Sequence, residues 1–119
     1  MAKLGYRHTE TGVTLYVILT DANDSHMKSS DSTFVSYVAA NWGDYDLPMS
    51  ESDSYLYEYT MPSISDGEYT AEIFLQDGAS PSLTDTKVGE QSFSWKDNDF
   101  FNLTDVSGGT GDTSNIGSW

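Results

Sequence analysis

The sequence has no cysteine, only five lysine and arginine residues, and no long apolar run. Without cysteine, the chain cannot form a disulfide framework, a thiolate zinc site, an iron–sulfur cluster or a cysteine nucleophile. No apolar run approaches the roughly 20 residues that a membrane-spanning helix needs. The cations near the N-terminus are not followed by a hydrophobic stretch, so we expect that the chain has no secretory signal. We therefore expect that it is made and retained in a cytosol.

The scarcity of cations leaves a strongly acidic chain. Nineteen aspartate and glutamate residues against five lysine and arginine residues give a formal net charge of -14 at pH 7. Binding to nucleic acid through phosphate contacts needs a basic surface, and so does attraction to anionic lipid. We therefore predict no nucleic acid partner and no membrane partner. A solvated acidic surface keeps a protein soluble, but it does not by itself define a function.

The length and the apolar content predict one folded domain with a tail. A chain of 119 residues normally forms a single hydrophobic core, and 37% hydrophobic residues are enough to build one. Residues 1–106 carry nearly all of the apolar pattern. Residues 107–119 are rich in glycine, serine and threonine, have little to bury, and form a separate C-terminal tail that would be a flexible linker in isolation.

The apolar pattern is that of β-strands, and the sequence predicts an all-β fold. Residues 13–20 are an uninterrupted β-favouring run, which indicates a strand buried on both faces. Residues 68–75 and 88–95 alternate between apolar and polar positions, as half-buried strands do. No window predicts a helix of three turns, although residues 39–42 could form a single turn. Shorter strand candidates are residues 33–38, 44–49, 54–61 and 100–103. Many short strands between turn signals indicate a sandwich or a small barrel.

Two tyrosine patterns refine this prediction. Tyr55, Tyr57 and Tyr59 alternate along one strand, which favours a core face over an exposed binding platform. The segment with Asp66, Gly67 and Tyr69 resembles the tyrosine corner of immunoglobulin-like sandwiches, in which a tyrosine at a strand entrance hydrogen-bonds back onto the preceding turn. We therefore predict a single immunoglobulin-like antiparallel β-sandwich without a disulfide. The alternative is a tyrosine that only packs at the start of a strand.

The sequence has few residues and no motif of the kinds that usually carry out catalysis. His8 and His26 are the only histidines, and the chain has no nucleophile-elbow, metalloprotease or phosphate-binding motif. Pairs of carboxylates are so frequent in this chain that their spacing carries no specific signal for glycoside hydrolysis. We predict that the protein is not an enzyme and uses no cofactor.

A metal site is also not predicted. Asp21, Asn23 and Asp24 place oxygen ligands on one loop, as calcium prefers, and are weak candidates for such a site. The loop lacks the central glycine and the closing glutamate of the twelve-residue calcium loop. Aspartate and asparagine are also the usual residues of tight turns, and we favour that interpretation.

Three residues are candidates for contact with a partner. Trp119, with Ile116 before it, could anchor the tail in a neighbouring subunit, because buried aromatic side chains dominate many interfaces. The alternative is a contact within the same chain. Trp42 lies between Asn41 and Gly43 in a loop region and is the best contact candidate in the body of the domain.

The pattern as a whole resembles small immunoglobulin-like modules of tailed-phage structural proteins. The resemblance rests on residues 4–8, 11–17 and 66–69, on the loop 77–81 and on the strand 93–95, and it extends from residue 4 to about residue 103. It implies a virion protein, either a capsid decoration protein or a component of the tail, baseplate or fibre. Such a protein would be made in the host cytoplasm and would bind capsid or tail proteins or its own copies. The resemblance assigns no functional residues.

Two other functions remain open at this point. A carbohydrate-binding or host-adhesion module would use Trp42 and exposed tyrosines as stacking surfaces for sugar rings. A small hydrolase would need a carboxylate pair in a cleft.

Overall fold

The computed structural model describes residues 2–104 and 116–117 of the 119-residue chain. The prediction of an all-β fold is confirmed, because the described residues form antiparallel sheets and only one short helix. The body that was predicted to span residues 1–106 ends, as far as it is described, with a strand that closes at Thr104. Of the predicted tail, only Ile116–Gly117 lies within the described residues.

Eleven strands and one 3-10 helix occur in this part of the chain. They are β1 (Lys3–Arg7), β2 (Leu15–Asp21), β3 (Ser25–Met27), β4 (Phe34–Ser36), the 3-10 helix (Ala39–Asp44), β5 (Leu47–Pro48), β6 (Ser50–Asp53), β7 (Leu56–Thr60), β8 (Gly67–Leu75), β9 (Thr86–Lys96), β10 (Asp99–Thr104) and β11 (Ile116–Gly117).

The strands form two antiparallel sheets. The smaller sheet has the strand order β11-β1-β7-β6, and the larger has the order β10-β9-β8-β2-β3-β4, with β5 paired to β2 beside β3. The central pairing of β2 with β8 runs without interruption from Leu15↔Leu75 to Asp21↔Tyr69. The long strands predicted at residues 13–20, 68–75 and 88–95 therefore become β2, β8 and β9, the three central strands of the larger sheet.

The main core lies between the sheets and follows the period of two along each strand. Strand β8 buries Tyr69, Ala71 and Ile73, and β9 buries Phe93 and Trp95. Burial of one such large apolar side chain contributes about 1.5–3 kcal/mol to folding. The other buried members of this core come from β1, β2, β3, β5 and β7 and from the residues that directly follow β5 and β7: Leu4, Leu15, Val17, Leu19, Met27, Leu47, Met49, Tyr57 and Met61.

A second, smaller core lies on the outer face of the larger sheet. Strand β2 buries its outward residues Tyr16 and Ile18 as completely as its inward ones, as the uninterrupted apolar run predicted. Tyr45 covers them, and Val35, Trp42 and Phe74 pack around this group. The chain between β4 and β5, including the 3-10 helix, therefore folds over β2 as a partial third layer.

The tyrosine stripe is one residue shorter than predicted. Tyr57 and Met61 are buried and Tyr59 packs against the core, but Tyr55 is 48% exposed. Tyr55 precedes β7 and lies in the β6–β7 turn with a φ of 70°, in the left-handed region. The prediction that Tyr55 shares the core face is wrong, because this hairpin turn ends the alternation before it reaches residue 55.

Tyr6 on β1 connects the two sheets. Its hydroxyl donates a 2.7 Å hydrogen bond to the carbonyl of Val88, and its ring lies over Gly89. The pairing of β8 with β9 shifts register at this point, since Ile73 faces Gly89 whereas Phe74 faces Lys87. The bulge exposes a carbonyl to Tyr6, and the absent side chain of Gly89 leaves room for the ring.

We predict that Gly89→Ala destabilises the fold. An added Cβ would lie 2.7 Å from a Tyr6 ring carbon, so the ring must move and its hydrogen bond to Val88 weakens. Overpacking of this kind costs about 1–3 kcal/mol, which urea unfolding would measure as a lower midpoint. Gly43→Ala is the matched control, because nothing lies within 4 Å of its Cβ position. Equal midpoints for the two variants would contradict the proposed close packing.

Candidate functional site

Trp42 lies in the outer aromatic layer, which we define as Tyr16, Tyr37, Trp42, Tyr45 and Phe74. It is half-buried, and its ring meets Phe74 edge to face at 5.2 Å between centroids. Its indole N–H donates a 3.0 Å hydrogen bond to the hydroxyl of Tyr16. Trp42 therefore has a defined structural role in covering β2, and its contact with a partner remains a prediction.

A chain of buried hydrogen bonds continues from this layer into the loop before β9. The hydroxyl of Tyr16 donates to Oδ2 of Asp85 at 2.7 Å. The backbone amides of Ser82 and Asp77 donate to the same carboxylate at 2.9 Å and 3.1 Å. Asp85 is the only acidic residue among the buried residues described, and it fastens the polar loop 76–85 to the sheet.

The environment of Asp85 and Tyr16 separates their protonation states. Burial disfavours the charged carboxylate of Asp85, but the hydrogen bonds from Tyr16 and from two backbone amides outweigh it and lower its pKa. Burial, and then the hydrogen bond to Asp85, raise the pKa of Tyr16. At neutral pH the pair is therefore a carboxylate that accepts and a neutral hydroxyl that donates. This fixed arrangement suits a structural role, and nothing in the sequence pattern singled out Asp85.

An open cleft of about 680 Å³ lies at one end of the sandwich. It is formed where β2 ends, where β4 and β8 begin, and where β9 turns into β10. Short polar side chains surround a small apolar floor. The lining residues are Asp21, Ser32, Thr33, Phe34, Ser63, Ile64, Ser65, Tyr69 and Asn98. Of these, the sequence analysis had singled out only Asp21 and Tyr69, for other reasons.

Tyr69 forms one wall of this cleft. Its hydroxyl donates a 2.6 Å hydrogen bond to the carbonyl of Ser65, four residues upstream, which is the bond that characterises a tyrosine corner. Asp66 fastens the opposite turn by accepting from the amide of Asp97 at 3.0 Å. Gly67 opens β8 between them. Burial, followed by the negative charges of Asp21 and Asp66, raises the pKa of Tyr69, so its hydroxyl stays neutral.

The loop of weak calcium candidates is built as a tight turn. Oδ1 of Asp21 accepts from the backbone amides of Asn23 and Ser25, both at 2.9 Å. Asp24 has a φ of 62°, a conformation that aspartate tolerates better than most residues. Within residues 2–104 and 116–117, no group of three or more histidine, cysteine, aspartate or glutamate side chains could hold a metal ion.

The two histidines lie in different environments. His8 follows β1, and its largely buried ring has no hydrogen bond at Nε2, which lies 3.7 Å from Oε1 of Glu10. His26 lies on β3 and stacks near Tyr37, with ring centroids 4.5 Å apart. Neither ring has a hydroxyl or carboxylate partner at hydrogen-bond distance among the described residues. The absence of an enzymatic function remains a prediction.

The described part of the C-terminal tail lies on the sandwich. Ile116–Gly117 pairs antiparallel with β1, in the register Gly5↔Gly117 and Tyr6↔Ile116. Ile116, the first of the two predicted anchor residues, thus lies beside Tyr6 of the same chain. Trp119, the second, lies outside the described residues.

In the described part of the chain, no helix is long and apolar enough to cross a membrane. Comparison of the chain with models of known families, with curated proteins and with solved structures finds no match. Its function is therefore argued from the geometry above.

We predict that Asp85→Asn lowers the free energy of unfolding by about 1.5–3 kcal/mol near pH 7, the range for hydrogen bonds to a charged group. Because folding lowers the pKa of Asp85 below its ordinary value of 3.8, its contribution is complete above about pH 4 and is lost as the pH falls through the folded-state pKa. Urea unfolding at several pH values would therefore show the difference from the native protein shrinking in acid.

Asp77→Asn is the control for that experiment, because Asp77 is exposed and contributes only its backbone amide to the network. A deficit of Asp85→Asn that did not change with pH would contradict the charge-based account.

Proposed function

We propose that this chain is a non-enzymatic structural subunit of a tailed-phage particle, either a capsid decoration protein or a tail, baseplate or fibre component. It works through contacts between subunits. The observation that carries this proposal is the placement of Ile116–Gly117 as a strand on the edge of β1. The segment that follows the body is therefore one that a sheet edge can bind, which is a recurring mode of protein recognition.

The fold that fits this function is an immunoglobulin-like sandwich. In such domains one sheet has the order A-B-E-D and the other contains C, F and G. The order β11-β1-β7-β6 matches the first sheet, with β1 in the position of strand B. The order β9-β8-β2 matches G-F-C, and the tyrosine corner at Tyr69 stands at the start of the strand in the F position. The C-terminal β11 then takes the position of strand A.

The smaller sheet has β11 at one edge and β6 at the other, and β6 differs from β1, the strand that β11 covers, in a way that supports assembly through β1. At the far edge, all four residues of β6 are exposed, two of them are acidic, and a register shift follows Glu51. Charge and a bulge are the usual protection of a sheet edge against pairing. Strand β1 has neither an acidic residue nor a bulge, and Leu4 within it is fully buried.

The cleft supports a second candidate, a module that binds a neutral saccharide. Hydroxyl, amide and carboxylate groups around Phe34, Ile64 and Tyr69 offer hydrogen bonds above an apolar floor. The net charge of -14 opposes an anionic ligand. This version of the host-adhesion function uses the cleft at the end of the sandwich in place of Trp42.

The structural proposal predicts that the protein is part of purified particles. Immunogold labelling with an antibody against residues 1–106 should place gold on the particle, and its position on head or tail would name the class of neighbour. An antibody that binds the isolated protein but leaves intact and partially disassembled particles unlabelled would overturn the proposal.

The tail should be needed for incorporation. Deletion of residues 107–119 is expected to reduce the copies per particle at least tenfold, because it removes β11, while the far-UV circular dichroism of the body stays that of a β protein. Quantitative immunoblotting of purified particles would measure the loss. Normal incorporation of the folded deletion variant would show that the tail is dispensable.

The saccharide candidate predicts a loss of glycan retention in Asn98→Gly. Asn98 has a φ of 60°, so glycine keeps the backbone while removing the amide from the cleft. Asp97→Gly is the matched control, since Asp97 has a φ of 53° and lies outside the cleft lining. Affinity electrophoresis on neutral polysaccharides should show a several-fold loss for the first variant only. Equal retention of both variants, or of neither, would remove this candidate.

A further inference from the structure

We propose that the side of β1 that faces β11 is a strand-acceptor site, and that its occupant in the assembled state is the Ile116–Gly117 segment of a second copy of this chain, in place of the segment of the same chain. The inference rests on the proposed function and names the partner that the tail would bind. On one side, β1 pairs with β7 along all five residues, from Lys3↔Thr60 to Arg7↔Leu56. On the other side, the pairing between described residues involves Gly5 and Tyr6.

The body of the domain holds β1 in a fixed position, so its outer side is available for pairing with another strand. Leu4 and Gly5 are buried, and Tyr6 is held by Val88 on the opposite sheet, so β1 cannot move away from the core. A strand fixed in this way presents the N–H and C=O groups of its outer side to whichever strand can approach. Backbone pairing does not distinguish a segment of the same chain from the identical segment of a neighbour.

The connection between body and segment is long enough for either choice. From Thr104 to Ile116 the chain advances by twelve residues, three of the intervening ones being glycine. Twelve residues span about 40 Å at full extension. The body measures 34 × 33 × 26 Å, so the segment can reach β1 of an adjacent copy whose edge faces it.

Charge favours this edge over other surfaces for a second copy. The chain has five lysine and arginine residues, and two of them, Lys3 and Arg7, lie on β1. Residues 105–119 contain Asp105 and Asp112 and no cation. The stretch of chain that carries Ile116–Gly117 is therefore acidic, whereas β1 has two cations, of which Lys3 also lies with its Nζ 3.9 Å from Oε1 of Glu58 on β7. The overall charge of the molecule otherwise repels its copies.

The same contacts form within one chain and between two, so local concentration decides between them. A short tether holds its own segment at an effective concentration in the millimolar range. In dilute solution, β11 therefore pairs with β1 of its own chain rather than with β1 of a second copy. In a particle that holds copies side by side, the neighbouring edge reaches a similar effective concentration, and exchange then links the subunits at little cost.

The test uses the absence of native cysteine. Two variants, Gly5→Cys and Gly117→Cys, are given tags of different size and mixed at about 1 mM, which matches the effective concentration of a segment on its own connection. The mixture is then oxidised. We expect the heterodimer, in which a disulfide joins the two substituted positions, to exceed the half of all dimers that random pairing gives. It should fall at least tenfold on dilution to about 10 μM.

A second pair of variants controls for misfolding of the cysteine variants. Ile116→Pro, which removes the backbone donor of β11, should abolish the dimer that native chains form at millimolar concentration in size-exclusion chromatography with light scattering. Ser107→Pro, in the connection, should leave that dimer unchanged. The exchange proposal would be overturned if the disulfide-linked dimers formed in random proportions. It would also be overturned if the Gly5→Cys/Gly117→Cys double variant formed its disulfide only within one chain at every concentration. Gold labelling of particles is a separate result, so loss of the exchange does not remove the particle role.

Discussion

Burial of β2 on both faces is the constraint on which the architecture depends. Residues 15–19 are all buried, so each face of the larger sheet must be covered. The smaller sheet covers one face and forms the main core. The other face is covered by the chain between β4 and β5, which brings Tyr45 and Trp42 onto Tyr16 and Ile18. Because both faces of the larger sheet are covered, the sandwich has a partial third layer.

That constraint also explains the buried carboxylate of Asp85. Tyr16 points outward from β2, and its hydroxyl must be hydrogen-bonded once the third layer excludes water. Asp85 accepts this hydrogen bond, and the indole N–H of Trp42 donates a hydrogen bond to the hydroxyl oxygen of Tyr16. The third layer and the loop before β9 are therefore connected through a single tyrosine. A polar network of this kind specifies one arrangement of the layer, because each unsatisfied member would cost about 1–3 kcal/mol.

Periodicity predicted the strands that carry the core, and it failed where structure depends on distant partners. The runs that became β2, β8 and β9 have strong local patterns, and residues 39–42, which the sequence allowed at most one helical turn, lie in the 3-10 helix. Strands β3 and β6 are short or wholly exposed, so no apolar alternation marks them. Asp85 could not be found because its partner Tyr16 is 69 residues away. The cleft combines four loops, and only the fold brings Phe34 near Tyr69, with ring centroids 5.4 Å apart.

The acidic surface limits how copies of this chain can meet. Glu72 and Glu90 stand directly opposite each other on β8 and β9, and Lys87 bridges the pair. Like charges at such positions oppose folding, and one exposed lysine offsets them only weakly. With a net charge of -14, contact between copies is least opposed where cations lie, and two of the five lie on β1. The strand exchange proposed above would join subunits at that edge although their overall charge repels them.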